Sequence, residues 1–181
     1  MQPTNMKRPV RKLHQRARGM TLLELVIATS LLAMVLTTIG VVMRTGRLAW
    51  EAHSADYTRI EAAHATVRHI VRRARHASAV STITPSTDDS GRLSLQMPDG
   101  SIEVWDHDSG TNVINYGLTT PASLLSPNIV GLRFTGYQAN GTTTTTTANL
   151  VKAIRVQVTV QLPVESGSSK VVSSWAWVRS W

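Results

Sequence analysis

Hydrophobic residues follow three different patterns along the chain, and each pattern predicts a different element. Residues 21–43 are almost continuously apolar. Residues 60–77 carry apolar side chains spaced alternately three and four apart, which places them on one face of a helix. After residue 80 the period changes to two, which is typical of strands with one buried face. This order predicts an α+β protein in which one long N-terminal helix packs on an antiparallel sheet.

The continuous apolar run predicts a helix that spans a membrane. Residues 21–43 contain a single charged residue, Glu24. At about 1.5 Å per residue the run reaches roughly 34 Å, which exceeds a hydrocarbon thickness of about 30 Å. A secretory signal peptide has a shorter apolar region, of about 7 to 15 residues, so the run is interpreted as an anchor.

The helix is expected to continue from about Thr21 to about Ala79, because neither Gly nor Pro interrupts residues 47–84. A stripe of apolar residues on an otherwise polar helix buries that face against a core. The N-terminal half is therefore expected to span the membrane, and the amphipathic C-terminal half to cover a soluble core. The stripe consists of Ile60, Ala63, Val67, Ile70, Ala74 and Ala77.

A hairpin is predicted where two alternating runs flank a Pro-Asp-Gly-Ser turn. A four-residue loop at 98–101 would pair Met97 with Ile102 and Leu95 with Val104. All five apolar side chains of the hairpin should then share one face: Leu93, Leu95, Met97, Ile102 and Val104.

Three more strands are expected, around residues 130–134, 154–162 and 171–181. The first should alternate through Val130, Leu132 and Phe134, and the second through Ile154, Val156, Val158, Val160 and Leu162. In the last strand Val171, Trp175 and Trp177 should share one side. These two tryptophans and Trp181 are expected to complete the core or an edge, and a contact with a partner is the alternative. The six threonines at 142–147 are expected to form a mobile loop.

Charge is concentrated at the N-terminus. The chain has 19 Lys and Arg against 11 Asp and Glu, and six of the bases lie in residues 1–19: Lys7, Arg8, Arg11, Lys12, Arg16 and Arg18. From Met20 onward 13 bases face 11 acids. A near-neutral body does not fit nucleic-acid binding, so nucleic acid is not an expected partner. The excess of positive charge before the apolar run places the N-terminus in the cytoplasm and residues 44–181 across the membrane.

Residues 18–26, RGMTLLELV, resemble the type IV prepilin signature: a basic leader that ends in Gly, an apolar first mature residue, and Glu as the fifth. The resemblance implies that a prepilin peptidase cleaves after Gly19 and methylates the new amine of Met20. It also implies assembly with other pilin or pseudopilin subunits through the N-terminal helix, in a bacterial inner membrane with the C-terminal domain in the periplasm.

The resemblance divides the chain into a leader (1–19), a transmembrane and assembly helix (20–43) and a pilin-like α+β domain (44–181). Major pilins more often begin with Phe than with Met and carry a Pro along the apolar run, where this chain has only Gly40 as a helix breaker. These departures favour a minor pilin or pseudopilin. Strand spacing over residues 124–181 resembles the J-type minor pseudopilins and W-type minor pilins. The pattern does not distinguish secretion, pilus and DNA-uptake systems.

Glu24 admits two interpretations. A carboxylate within an apolar helix costs about 2.5 to 3.5 kcal/mol and normally marks function. Cleavage would create an amine at Met20, with a pKa of about 7.7 to 8.0, and Glu24 could pair with the amine of a neighbouring subunit and set the register between helices. The alternative is a carboxylate at the helix start, at headgroup level, where the helix dipole favours an anion.

No catalytic site, metal site or cofactor is predicted, and an enzyme is not expected. The chain has no cysteine and no Gly-x-Ser-x-Gly motif. The helix histidines lack the spacing that one metal needs. A Ca²⁺ site at Asp88, Asp89, Asp106 and Asp108 is the alternative to solvated loop ends. The competing function is an uncleaved, single-pass membrane-anchored domain that binds a ligand or partner.

Overall fold

The computed structural model describes residues 19–163 and 168–179. One α-helix, α1, spans Leu22–His76, which confirms the long helix predicted from about 21 to about 79. Eight strands follow among the described residues, so the α+β class is also confirmed. They are β1 Ala79–Ile83, β2 Arg92–Gln96, β3 Ile102–Asp108, β4 Val113–Leu118, β5 Ser123–Ser126, β6 Ile129–Tyr137, β7 Ala153–Gln161 and β8 Ser169–Trp177, with a short 3-10 helix at Ala148–Leu150 between β6 and β7.

The strands form two antiparallel sheets. One has five strands in the order β1-β2-β3-β4-β5, and the other has three in the order β6-β7-β8. Within each sheet, every pairing joins strands that are consecutive in sequence. The loop between β1 and β2 connects the sheets, because the Gly91 amide donates to the Leu132 carbonyl at 2.8 Å. A Cβ on Gly91 would lie 2.4 Å from that carbonyl oxygen, so the connection requires glycine.

The chain divides into two compact units, one ending at Arg47 and one running from Leu48 to Trp181. In the second unit the predicted stripe of α1 is buried in the core with strands from both sheets. Ile70 and Ala74 are 0% exposed, whereas Ile60 is only partly buried. The stripe is therefore confirmed, and Thr66 and Val71 widen it.

The predicted hairpin register is wrong by one residue. Leu95 pairs with Glu103 and Gln96 with Ile102, because the loop has three residues and Met97 bonds to Ser101. Gly100 has φ +83°, a left-handed conformation that closes such a loop with a bulge. The shift turns the alternate positions of β3 to the opposite face. Ile102 and Val104 therefore do not share the core face of Leu93 and Leu95.

The three-stranded sheet confirms the strands near 130, 154 and 171 but corrects which side chains they bury. The register of β6 shifts between Ile129 and Gly131, so Ile129 is fully buried and Val130 is not. The core residues of β7 are Ile154, Val156, Val158 and Val160, and Leu162 lies beyond the strand.

The tryptophans of β8 do not complete the core. Trp175 is 45% and Trp177 59% exposed, whereas Val172 and Ala176 face inward. The edge part of the prediction holds, because β8 pairs with β7 alone. Trp181 lies outside the described residues.

The threonine run is not a free loop. Thr145 donates its amide to the Gly136 carbonyl at 2.9 Å, and Thr143 accepts from the Gln138 amide at 2.9 Å. Thr144 forms a bridge with Tyr137. These bonds place the run along the end of β6.

Candidate processing and assembly site

The first half of α1 exposes apolar side chains on every face. All the large apolar residues from Leu22 to Met43 are at least 49% exposed. Among the described residues, α1 is the one helix long and apolar enough to cross a membrane, by length and composition. A helix that is apolar all round needs a lipid or protein environment.

Polar side chains in this half satisfy their hydrogen bonds within the helix. The hydroxyl of Thr29 donates to the Leu25 carbonyl at 3.0 Å, and that of Thr38 donates to the Met34 carbonyl at 2.8 Å. Ser30, Thr37 and Thr45 bond in the same way to carbonyls three or four residues earlier. Such bonds leave no hydroxyl unsatisfied when the helix enters hydrocarbon.

Glu24 and Thr21 form a capping box at the start of α1. The Glu24 amide donates to the Thr21 hydroxyl at 3.2 Å, and the Thr21 amide donates to the Glu24 carboxylate at 3.3 Å. Each side chain thus satisfies an amide that the first helical turn leaves free. The Thr-x-x-Glu spacing of residues 21–24 is the sequence signal of this box, and it adds a structural role to the helix-dipole interpretation of Glu24.

Gly19 and Met20 precede the helix, and both are exposed. Among the described residues, a Cβ on Gly19 would meet nothing within 4 Å. The described part of the fold therefore places no steric demand for glycine at this position. Met20 is 68% exposed, so the bond between the two residues is accessible.

Three of the four aspartates considered as a Ca²⁺ site bind separate partners. Asp89 forms an ion pair with Arg133 at 2.7 Å, Asp88 accepts from the Ser90 amide, and Asp108 accepts from the Thr111 hydroxyl. In the part of the chain that the structure describes, no group of three or more His, Asp or Glu side chains is placed to hold a metal ion.

A polar and aromatic cluster between α1 and the five-stranded sheet was missed by the sequence analysis. Trp105 donates its indole N–H to Nδ1 of His69 at 3.3 Å, and Tyr116 packs edge-on against His69 at 5.1 Å. Arg73 lies 3.4 Å from the Glu103 carboxylate, which is almost fully buried. No local motif marks this cluster, because its members come together only through the register of β3 and β4.

The surroundings within the cluster shift the pKa values of two of its side chains. Burial, followed by the positive charge of Arg73, lowers the pKa of His69, and burial with the nearby charge of Glu103 raises the pKa of Tyr116. The exposed side of His69 opens into a surface depression of about 470 Å³. Three neighbouring arginines of α1 are exposed: Arg68, Arg72 and Arg75.

One known family motif matches the segment of the chain that contains the capping box. A family model described as the prokaryotic N-terminal methylation motif matches residues 14–40. No curated protein and no solved structure matches the chain. The matched motif is the prepilin type, and it supports a type IV pilin-like protein with a membrane anchor. The long helix on antiparallel sheets is a pilin-like arrangement.

Proposed function

We propose that this chain is a minor pilin or pseudopilin, a structural subunit of a type II secretion pseudopilus or type IV pilus that a prepilin peptidase cleaves after Gly19. The observation that carries the proposal is that the described part of the fold places no steric demand for glycine at residue 19. A residue type that the structure does not require, five positions before Glu24 in a matched methylation motif, is best explained by an enzyme that reads it.

The proposed topology assigns the basic leader 1–19 to the cytoplasm, residues 20–43 to the inner membrane and residues 44–181 to the periplasm. It rests on the charge imbalance across the apolar run. Partners are the prepilin peptidase, inner-membrane lipid and other pilin subunits, with a methylated amine at Met20 after cleavage. The role is structural and not catalytic.

Glu24 has a second task in this proposal, beyond the capping box. Its carboxylate is exposed, as are the large apolar side chains around it from Leu22 to Met43. Once the helix is packed among other apolar helices, the carboxylate and the new amine of a neighbouring Met20 are favourable only as a pair. Removing one member of a fully buried pair costs about 3 to 5 kcal/mol.

Glycine substitutions test the processing step. Gly19→Val should block cleavage and leave the full-length precursor in the membrane. Gly46→Val is the matched control, because a Cβ at Gly46 also meets nothing within 4 Å. Both variants are co-expressed with a prepilin peptidase, and the loss of the leader is followed by gel mobility. Cleavage of Gly19→Val as complete as that of Gly46→Val would contradict cleavage after Gly19. Absence of cleavage in both variants would favour the uncleaved anchored domain.

Glu24→Gln tests the assembly step and separates the two roles of Glu24. Gln can replace Glu in a capping box, so the helix start is retained while the charge is lost. We expect normal cleavage. Crosslinking to partner pilins should fall at least tenfold, because the cost of breaking the pair, about 3 to 5 kcal/mol, exceeds the roughly 1.4 kcal/mol that corresponds to a tenfold change. Glu24→Ala should lose both cap and pairing, and Glu61→Gln is a control carboxylate on the other half of α1. Wild-type assembly of Glu24→Gln would leave Glu24 as a helix cap only.

A further inference from the structure

Among the described residues the two sheets end in four edge strands, and one of these differs from the other three. β1 and β5 are five and four residues long, and each has an irregular register with its neighbour. The edge of β6 is covered, because the Leu132 amide donates to the Asp89 carbonyl and the Thr145 amide donates to the Gly136 carbonyl. By contrast, β8 has nine residues and pairs with β7 in unbroken register from Ser169 to Trp177. Native sheets usually shorten, bend or cover such an edge, because another strand can pair with it.

The backbone groups that β8 directs away from β7 belong to its odd-numbered residues. At one end of the strand pair the Val178 amide donates to the Lys152 carbonyl at 2.9 Å, and at the other end the Leu162 amide donates to the Ser168 carbonyl at 3.1 Å. Since hydrogen-bonded pairs alternate along an antiparallel ladder, both bonds assign the even-numbered residues of β8 to β7. The residues with outward amides and carbonyls are Ser169, Val171, Ser173, Trp175 and Trp177. No other described residue forms a backbone hydrogen bond to these outward groups.

The C-terminal half of α1 runs beside β8. The Arg59 guanidinium donates to the Gln161 carbonyl at 2.8 Å, and Gln161 pairs with Ser169 at the start of β8. Further along, Arg72 and Ser174 line the same groove. Arg59 and Arg72 are about 20 Å apart along the helix, and Ser169 and Ser174 are about 17 Å apart along the strand. The helix and the strand therefore run in nearly the same direction.

A groove of about 330 Å³ lies between the last turns of α1 and β8, and we call it the α1–β8 groove. Its lining consists of Arg68, Val71, Arg72, Arg75, His76 and Ser174. Within the described part of the chain none of its three arginines forms an ion pair, whereas neighbouring Arg73 is paired with Glu103. A carboxylate bound in the groove would supply the counter-charge.

We propose that the α1–β8 groove binds an extended acidic segment of a partner protein, which adds to β8 as a fourth strand. The outward amides and carbonyls of β8 bind the backbone of this segment, and the arginines bind carboxylates at its alternate positions. Side chains on one face of a strand recur about every 6.8 Å, close to the rise of about 6 Å between Arg68 and Arg72. In strand addition the main chain supplies affinity and the alternate side chains supply specificity.

Two other occupants fit the groove less well. A second copy that paired through its own β8 would bring two cationic grooves together, and like charges across an interface are unfavourable. A nucleic acid would pair with the arginines through its phosphates, but it cannot continue the backbone ladder of β8. The combination of an open strand edge with unpaired arginines therefore favours an acidic peptide.

Peptide binding to the full chain, purified in detergent, tests the proposal. The probe is a fluorescein-labelled nine-residue peptide that alternates threonine and glutamate, and binding is followed by fluorescence anisotropy. It should bind at least about tenfold more tightly than a peptide that alternates threonine and lysine. A version of the acidic peptide with N-methylated backbone amides keeps the charge but cannot extend the ladder, so it should bind about tenfold more weakly.

Substitutions in the protein separate the charge from the strand pairing. Arg68→Gln combined with Arg75→Gln should weaken binding of the acidic peptide about tenfold. Arg44→Gln combined with Arg92→Gln makes the same change of charge at exposed arginines outside the groove and should leave binding unchanged. Ser173→Pro removes an outward amide but no bond to β7, so it should weaken binding severalfold while Ser173→Ala does not. Thermal unfolding of each variant checks that the domain is intact.

Four results would overturn the proposal. The first is no measurable binding of the acidic peptide to the wild-type chain. The second is equal binding of the acidic peptide and its N-methylated version, which would indicate charge attraction alone. The third is tighter binding of single-stranded oligothymidylate with the same dependence on the groove arginines, which would indicate a nucleic-acid site. The fourth is a dimer in sedimentation that Ser173→Pro abolishes, which would assign the edge to a second copy.

The groove lies far along the chain from the leader, and peptide binding does not require cleavage after Gly19. Failure of the peptide to bind therefore leaves the proposed pilin function standing. A chain that is never cleaved would instead contradict the proposed function and leave the groove untouched.

Discussion

The two halves of α1 have the same backbone conformation but bury their side chains in different ways. From Leu22 to Met43 every large apolar side chain is exposed. From Ala63 to Ala74 one stripe is buried against the strands, and the other faces carry polar and charged residues. The helical conformation therefore does not by itself show which surroundings the side chains of each half are suited to. The second half is explained by the core of its own chain, and the first half needs an environment outside the chain.

The largest difference between the halves is expected from matched isoleucine substitutions. Ile70→Ala removes a fully buried side chain and should lower the free energy of unfolding by about 2 to 5 kcal/mol. Ile39→Ala changes a residue that is 49% exposed and should leave the unfolding of the C-terminal unit unchanged. Urea unfolding of the detergent-solubilised chain, followed by near-ultraviolet circular dichroism, measures both. Equal losses would mean that the first half also folds against the core.

A charged substitution should affect the first half of α1 more than the C-terminal unit, when membrane insertion is the property measured. Leu32→Arg places a cation in the apolar run and should oppose membrane insertion by about 2.5 to 3.5 kcal/mol. Leu118→Arg makes the same change at a comparably exposed leucine of the five-stranded sheet and should leave insertion intact. Carbonate extraction of membranes separates inserted from peripheral protein. Full retention of both variants would argue against a membrane role for the apolar run.

The smallest effect is expected from the titration of His69. Because its pKa is lowered in the fold, the unfolded chain binds the proton more readily, and stability rises with pH through the ordinary value of about 6.5. The contribution is complete above that value and is lost as the pH falls toward the folded pKa. Wild type should therefore lose more Tm than His69→Asn between about pH 7.5 and about pH 5, by no more than about 3 °C.

His69→Asn is the informative variant because its carbonyl can still accept from the Trp105 indole while it cannot titrate. The other histidines of the chain remain in both proteins, and their effects cancel in the comparison. An identical pH dependence of the two proteins would show that His69 is not coupled to folding.

Sequence patterns predicted the elements of this fold better than their registers. The α1 stripe and the alternation of β7 were correct because long runs repeat one period many times. The hairpin register failed because a single left-handed residue, Gly100, decides the loop length. The core contains Ile129 and not the expected Val130, because a bulge shifts β6 by one position.

The orientation of β8 and the polar cluster depend on contacts that no local pattern encodes. Val172, Ala176, Trp175 and Trp177 are all apolar, so the smaller pair could not be recognised as the buried one. At the helix start the sequence was more informative. The residues of the capping box and of the proposed cleavage site all lie within positions 19–24, so their spacing is visible as a local pattern.

The central claim is that Gly19 marks a cleavage site, and the mass of the mature N-terminus tests it most directly. Protein purified from membranes that contain a prepilin peptidase should begin uniformly at Met20 with one methyl group on its amine. Peptide mass spectrometry identifies the terminus and the modification together, and cells without the peptidase supply the precursor as a control. A protein that still begins at Met1 in the presence of an active peptidase, or that is cut after Ala33, would contradict the account.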